Sequence, residues 1–344
     1  MKHILLIMTG GTISLVQDPS SGVLYPADTE LFKTYIPELY DNGIDVRLMP
    51  LTPFIDSSDM DPEIWARLAH IIYDNYSDYD GFVITHGTDT MAYTASALSF
   101  MLENLSKPVV FTGAQLPIGV VRSDARENLT TAIEIAAEQD EEGNAIVPEV
   151  TIFFDSKLYR ANRCTKKNSE WFAAFKSYNY EPLAVAGVHI KYSPHLIHYS
   201  DPEKPLRLRI KTDRRVVILR LFPGISEQTV RSILDIPDLK AVILETYGSG
   251  NAPRAEWLHQ ALKQAVDKGI IIVNKTQCVM GAVEMGRYQT SLNLMKAGVL
   301  SGYDITTEAL LAKMMYLLGE QEGDTEKVKQ LLQTDLCGEV TIDI

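Results

Sequence analysis

The chain has 344 residues, 46% of them hydrophobic and 22% charged, the balance of a folded globular protein and not of a disordered or fibrous one; that length favours two domains over a single core. With 32 Lys and Arg against 45 Asp and Glu, the formal net charge is −13. No basic block interrupts this acidity, which excludes nucleic acid and anionic membrane as natural partners. Cys164, Cys278 and Cys337 are widely spaced and form no C-x-x-C pair, which argues against a disulfide framework or a zinc site. Cys278, in KTQCVMG, reads as a buried reduced thiol and not as a nucleophile.

The first element is the apolar run Ile4–Met8, a buried parallel strand that breaks into Thr9-Gly10-Gly11-Thr12. The run is too short to span a membrane and no cleavage-site pattern follows it, so a cytoplasmic protein is expected. Glycines after a strand allow close backbone approach, and ligands of open α/β sheets sit beyond the carboxyl ends of strands. The spacing is neither G-x-G-x-x-G nor a Walker loop. What remains is either an ordinary strand-to-loop turn or a threonine nucleophile, Thr12. The turn-rich stretch 17–27, with Tyr25, reads as a surface loop or as a lid over such a site.

A second strand, 44–51, leads into Asp56-Ser57-Ser58-Asp59 and then a helix capped by Asp61 with Pro62 at its first position; Ile64, Leu68, Ile71 and Ile72 form its apolar face. Strand 81–85 ends in His86-Gly87-Thr88-Asp89-Thr90 before a helix over 91–103, and strand 109–112 ends in Gly113-Ala114-Gln115. Arg122-Ser123-Asp124 and Asn128 read as hydrogen-bonding residues of the turn before the helix that runs to about Gln139, and His86 as a structural residue. Strand 149–155 precedes a segment, 157–167, that is basic in an otherwise acidic chain: a solvated face, or a lysine directed at the earlier strand ends. Residues 1–190 form one α/β domain, 191–212 with Pro194, Pro202 and Pro205 a linker, and 213–344 a second α/β domain of alternating strands and helices. Alternation implies parallel sheets in both halves.

Chemistry follows if these strand ends converge. A threonine hydroxyl needs a base to take its proton. Thr88 can relay that proton to a lysine, Asp89 can orient the lysine or hold a substrate amine, and glycine-turn N–H groups can bind an oxyanion. The set suits acyl transfer on an amide or ester, with no metal and no organic cofactor.

On these residues the chain resembles the cytoplasmic (type I) bacterial L-asparaginases over essentially its whole length. Thr9-Gly10-Gly11-Thr12-Ile13 is similar to the first signature of that family and His86-Gly87-Thr88-Asp89-Thr90-Met91-Ala92 to the second; Asp56–Met60, Arg122–Asp124 and Tyr247–Pro253 match further family segments. The resemblance implies a larger N-terminal flavodoxin-like parallel-sheet domain, a smaller C-terminal Rossmann-like α/β domain, and sites built at a dimer contact, often within tetramers. It implies Thr12 as nucleophile, forming a β-aspartyl ester, with Thr88, Asp89 and Lys166 as the second triad. Lys166 is chosen over Lys167 by the R-x-x-K spacing from Arg163. Asp56, Ser57 and Ser58 are implied to hold the substrate's α-carboxylate and amine with help from Asp89, Gly11 to lie beside them, and Tyr25 to be the lid tyrosine.

One departure stands out. Cooperative relatives of this type carry an arginine just before the C-terminal Ser-Tyr-Gly, at an effector asparagine site, whereas here Glu245 precedes Thr246-Tyr247-Gly248. Asparagine amidohydrolysis is thus the expected activity. Broader amidase activity on glutamine, and a silent asparagine sensor, are the other readings. A relative acting on an amide carried by tRNA normally has an additional N-terminal domain, and here the catalytic fold is expected to begin at Met1.

Overall fold

Strand β1 (Lys2–Met8) lies one strand in from an edge of the first sheet, with Ile4–Met8 at 0–1% exposure. A 3-10 turn, Thr12–Ser14, leads from it into a hairpin of β2 (Leu15–Gln17) and β3 (Leu24–Pro26). There follow β4 (Ile44–Pro50), helix α1 (Pro62–Asp74), β5 (Gly81–Thr85), helix α2 (Met91–Met101), β6 (Leu102–Glu103), β7 (Val109–Thr112), helix α3 (Ala125–Ala137) and β8 (Val150–Phe154). The structure, a computed structural model, describes residues 1–17, 21–26, 30, 34, 43–201, 203–287 and 289–342.

Strands β5, β7 and β8 are apolar but for one threonine each and buried throughout, the composition of parallel strands covered on both faces. Helix α1 starts as its sequence dictates: the Asp61 carboxylate accepts from Glu63 N at 2.9 Å and Ile64 N at 3.0 Å, ahead of Pro62. Its buried face is Trp65, Leu68, Ala69 and Ile72, with Ile64 and Ile71 only half covered. The buried stripe is thus rotated slightly from the one the aliphatic spacing implies, because Trp65 takes the core position.

The sheet order is β13-β12-β9-β8-β7-β5-β1-β4. From β8 the chain reverses into β9 (Lys157–Arg160) through Asp155 and Ser156, both at positive φ (49° and 63°), the backbone of a two-residue hairpin turn. A ribbon of β10 (Cys164–Lys166) and β11 (Phe175–Ser177) follows, and then β12 (Ala184–Ala186) and β13 (Ile190–Tyr192) extend the large sheet in antiparallel fashion. The first sheet is therefore mixed, not purely parallel. Alternating strands and helices give no hint of this extension, which has only a 3-10 turn, Ala161–Arg163, and no α-helix in it.

The stretch read as a linker is largely built into the first unit, Met1–Arg209. Strand β13 is part of its sheet, β14 (Arg207–Leu208) pairs with β6, and Asp201 N donates to Asn104 Oδ1 at 3.0 Å. Its prolines and charges mark irregular backbone and not separation from the fold.

The second unit, Ile210–Ile344, alternates as the sequence implies: β15 (Val216–Arg220), α4 (Glu227–Leu234), β16 (Ala241–Thr246), α5 (Glu256–Asp267), β17 (Ile271–Thr276), α6 (Gln289–Lys296), β18 (Leu300–Ser301), α7 (Thr307–Glu320) and α8 (Thr325–Leu332). Its four strands are parallel, in the order β15-β16-β17-β18. Val242, Leu244, Leu258, Leu262, Ile272 and Leu294 lie in its core. Cys278 is exposed and not buried: it follows Thr276 and Gln277 past the end of β17, where the chain has left the sheet. Among the described residues no helix is long and apolar enough to cross a membrane.

Lys313 on α7 and Glu339 form an ion pair at 2.6 Å with both side chains fully buried. Lys313 also donates to Thr334 O at 2.6 Å, and Glu339 accepts from the amides of Leu336 and Cys337. Removing one partner of such a pair leaves a charge in an apolar setting, so Lys313→Met is expected to cost about 3–5 kcal/mol in denaturant unfolding. Lys313→Met combined with Glu339→Gln, whose amide oxygen still serves the backbone donors, is expected to recover part of that loss; a double variant no more stable than the single one would contradict this account.

His86, at the end of β5, is fully buried. Its Nδ1 lies 2.6 Å from Gly87 O and its Nε2 3.0 Å from Thr94 Oγ1. A carbonyl only accepts, so Nδ1 carries the proton and Nε2 takes the Thr94 hydroxyl. Burial pushes the imidazole down to about 4 from 6.5. The unfolded chain binds that proton near pH 6.5 while the folded chain resists it until about 4, so stability falls as pH drops through this window, by up to about 3 kcal/mol. His86→Gln is expected to lack this component in urea titrations between pH 7 and 4.5, and an unchanged pH dependence would rule His86 out as its source.

Candidate functional site

The chain passes from β1 to β4 on one side of the sheet and then crosses to β5 on the other, which makes the carboxyl ends of β1 and β5 a topological switch point. Two glycine junctions meet there. A Cβ on Gly11 would lie 2.5 Å from both Cα and N of Gly87, and Gly11 itself has φ +77°. Only glycine allows this approach at that φ, and it seats the backbones that carry Thr12 and Thr88 one residue further on. Ser57 completes the contact, with Oγ 2.5 Å from where a Gly87 Cβ would stand. Side chains stitch the strand ends below: Thr9 Oγ1 donates to Thr85 O at 2.9 Å and Thr112 Oγ1 to Phe153 O at 3.0 Å.

Lys166 comes to this junction from the β10–β11 ribbon. Its Nζ donates to Thr88 Oγ1 and to Asp89 Oδ1, both at 2.7 Å. The lysine side chain is 16% exposed and the Asp89 side chain 69%, so the ammonium is largely withdrawn from water while its carboxylate partner faces it. Of the adjacent Lys166 and Lys167, it is Lys166 that reaches Thr88 and Asp89.

The loop 52–58 is tied to the end of β1 by Ile55 N donating to Thr9 O at 2.8 Å. The Asp56 carboxylate accepts from Ser58 N at 2.8 Å and Ser58 Oγ at 2.7 Å; the backbone amide first, then the hydroxyl, hold it below the usual carboxylate value. Ser58 is exposed, whereas Ser57 is buried and takes Thr90 Oγ1 on its carbonyl at 2.5 Å. Tyr25 sits on β3 opposite Val16, 40% exposed. The hairpin therefore links it through β2 to the Thr12 turn; residues 18–20 and 27 of the stretch read as a lid lie outside the described residues.

One side chain that the motifs left without a role stands beside Thr88. Gln115 Oε1 is 3.4 Å from Thr88 Oγ1, and Gln115 Nε2 donates to Trp171 O at 3.1 Å. Asp124 accepts from the amides of Gln115 and Leu116. The signal for Gln115 was its place at the end of β7; its partner Trp171 has none in sequence, since it lies 56 residues away.

The second unit has its own charged strand end. Glu245, buried at the end of β16, accepts from Thr307 Oγ1 at 3.0 Å and pairs with Arg220 at 3.5 Å. Lys275 is its register partner on β17. Burial pushes that lysine down from its usual value, against the pull of Glu245.

Comparison with known proteins bears on both units. The family model for asparaginase, N-terminal, matches residues 3–198, and that for the glutaminase/asparaginase C-terminal domain matches 215–332. The chain is 44% identical over 345 residues to L-asparaginase 1 of Escherichia coli, covering 99% of each. It is 40% identical to the 60 kDa lysophospholipase of Mus musculus, covering 99% of this chain and 63% of that one. In structure it matches L-asparaginase I of Vibrio cholerae with a TM-score of 0.89 at 42% identity, over 99% of both chains. A mixed N-terminal sheet with its switch point at two abutting glycines, a four-stranded parallel C-terminal sheet, and full-length likeness in sequence and structure together make this chain a member of the asparaginase family, of the type I branch.

Proposed function

We propose that the chain hydrolyses the side-chain amide of L-asparagine to aspartate and ammonia through an ester on Thr12. The observation that carries the reading is the Lys166–Thr88–Asp89 cluster, with both contacts at 2.7 Å, set at the switch point where Gly11 and Gly87 abut. With Lys166 in its neutral amine form, the Thr12 oxygen attacks the carboxamide carbon; its proton passes to Thr88 Oγ as the Thr88 proton passes to Lys166 Nζ. Backbone N–H groups of the glycine turn face the oxyanion. The C–N bond breaks as the leaving nitrogen takes the proton back from Lys166 through Thr88 and departs as ammonia, and water then attacks the ester, releasing aspartate and restoring Thr12.

Asp56, Ser57, Ser58 and Asp89 hold the substrate's α-carboxylate and amine, the acidic groups taking the amine and the hydroxyl and amide donors the carboxylate. Tyr25 closes over the site from its hairpin. A cytoplasmic dimer or tetramer belongs to the same reading, as does independence from metal or organic cofactor.

Glutamine is longer than asparagine by one methylene, which an apolar wall discriminates by only about 1–3 kcal/mol, so both amides belong in the test. Ammonia release by the wild type is expected from asparagine, with release from glutamine measured beside it. Thr12→Ala and Lys166→Met are each expected to lose at least about a thousandfold in kcat. Wild-type rates in Thr12→Ala would overturn the nucleophile, and asparagine binding without ammonia release would turn the reading to an amino-acid sensor.

Asparagine is expected to activate weakly or not at all. A carboxylate at position 245 repels an effector's α-carboxylate, and here it is already engaged by Thr307 and Arg220. A hyperbolic rate curve is expected; a sigmoidal one that Glu245→Arg leaves unchanged would defeat this.

A further inference from the structure

Asp124 occupies the N-cap position of α3, yet its side chain makes no capping bond there. An N-cap carboxylate ordinarily accepts from the amides of the helix's first turn. Here Ser123 Oγ accepts from Ala125 N at 3.0 Å, and the Asp124 carboxylate turns back to the loop after β7. It accepts from Gln115 N on both oxygens at 3.1 Å, from Leu116 N at 3.2 Å and from Asn128 Nδ2 at 3.2 Å. Asn128, itself buried, also donates to Gly113 O at 3.0 Å and accepts from Asp155 N at 3.3 Å. The carboxylate is thus the hub of the turn 113–116, and burial raises its pKa against the pull of those donors.

That turn abuts the relay. A Cβ on Gly113 would lie 2.5 Å from His86 O and 3.5 Å from Thr88 Cγ2, so Gly113 is pressed against the segment that carries Thr88. Two residues on, the Gln115 amide oxygen stands 3.4 Å from the Thr88 hydroxyl. Thr88 Oγ has a single proton and two lone pairs. A charged Lys166 only donates, so the Thr88 proton goes to Gln115. A neutral Lys166 is an acceptor at 2.7 Å and outcompetes an oxygen at 3.4 Å, near the limit of a hydrogen bond. The length of the Gln115 contact therefore decides how readily the Thr88 proton turns towards Lys166.

We infer that Asp124 is a positioning residue for the reaction: by fixing the Gln115 backbone it holds the Gln115 amide at the distance where it orients the resting Thr88 hydroxyl yet gives the proton up to Lys166. The inference rests on the amidohydrolase reading above. Asp124→Asn replaces an acceptor facing two amides with a group that points a donor at one of them. With asparagine as substrate, its kcat is expected to fall about tenfold with KM within about twofold, because the lost contact belongs to the proton path and not to substrate binding.

Gln115→Met keeps the side-chain length, removes the amide oxygen and leaves the Asp124 hub intact. It is expected to lower kcat by a similar factor with its melting temperature unchanged, which also covers the case in which Asp124→Asn does not fold. In the Gln115→Met background, Asp124→Asn is expected to add less than about twofold, since two residues acting through one contact are not additive. Wild-type kcat in folded Asp124→Asn, wild-type kcat in Gln115→Met, or equal effects of Asp124→Asn in both backgrounds would overturn the inference while leaving amidohydrolysis standing. A wild type that releases no ammonia from asparagine would overturn both.

Discussion

The contact between Gly11 and Gly87 is the constraint on which the site depends. Two loops from neighbouring parallel strands approach so closely that Gly11 has no room for a Cβ against the Gly87 backbone, while Gly87 has none against Ser57, and this brings two hydroxyl-bearing residues to the same mouth of the sheet. The surrounding hydrogen bonds maintain that approach. Thr9 bonds to Thr85, His86 N donates to Thr112 O, and the 52–58 loop hangs from Thr9 O through Ile55. Each of these uses a buried polar group that carries a cost unless partnered, so the junction is held by the same bonds that make its burial tolerable.

Lys166 is supplied from outside this framework. Its ribbon has three residues in each strand and does not join the large sheet, and a two-stranded hairpin of that size has little stability of its own. The lysine's position is therefore shared between the ribbon and its bonds to Thr88 and Asp89. Gln115 adds a further tie, through the Trp171 carbonyl in the loop that joins β10 to β11. The parallel strand ends set where Thr88 points, and the loop contacts set how the lysine meets it.

Strand ends rich in Thr, Ser and Gly made much of this legible. The runs Ile4–Met8, Gly81–Thr85 and Val109–Thr112 are apolar up to a closing threonine in the last two and bounded by turn residues, the signature of buried strands, and they lie adjacent and parallel. The second unit, where every strand alternates with a helix, followed the same logic. The antiparallel half of the first sheet was opaque: β12 and β13 have three residues each, too few to show a period, and Asp155-Ser156 is not among the strong hairpin dipeptides. In the site, Thr88, Asp89 and the presence of a lysine followed from local chemistry and from resemblance to a family. The Gln115–Trp171 bond and the reversed carboxylate of Asp124 did not, because a hydrogen bond across dozens of residues has no local signature.

Trp171 also gives the molecule an optical property. Of the three tryptophans, Trp65 is buried on the core face of α1, while Trp171 stands 69% exposed in the loop behind Lys166. An indole in water emits at longer wavelength than one in an apolar core, so the two contribute at different ends of the emission band. The red edge belongs in large part to the segment whose carbonyl receives Gln115, and rearrangement of the loop that follows the lysine is thereby written into the fluorescence of the unlabelled chain.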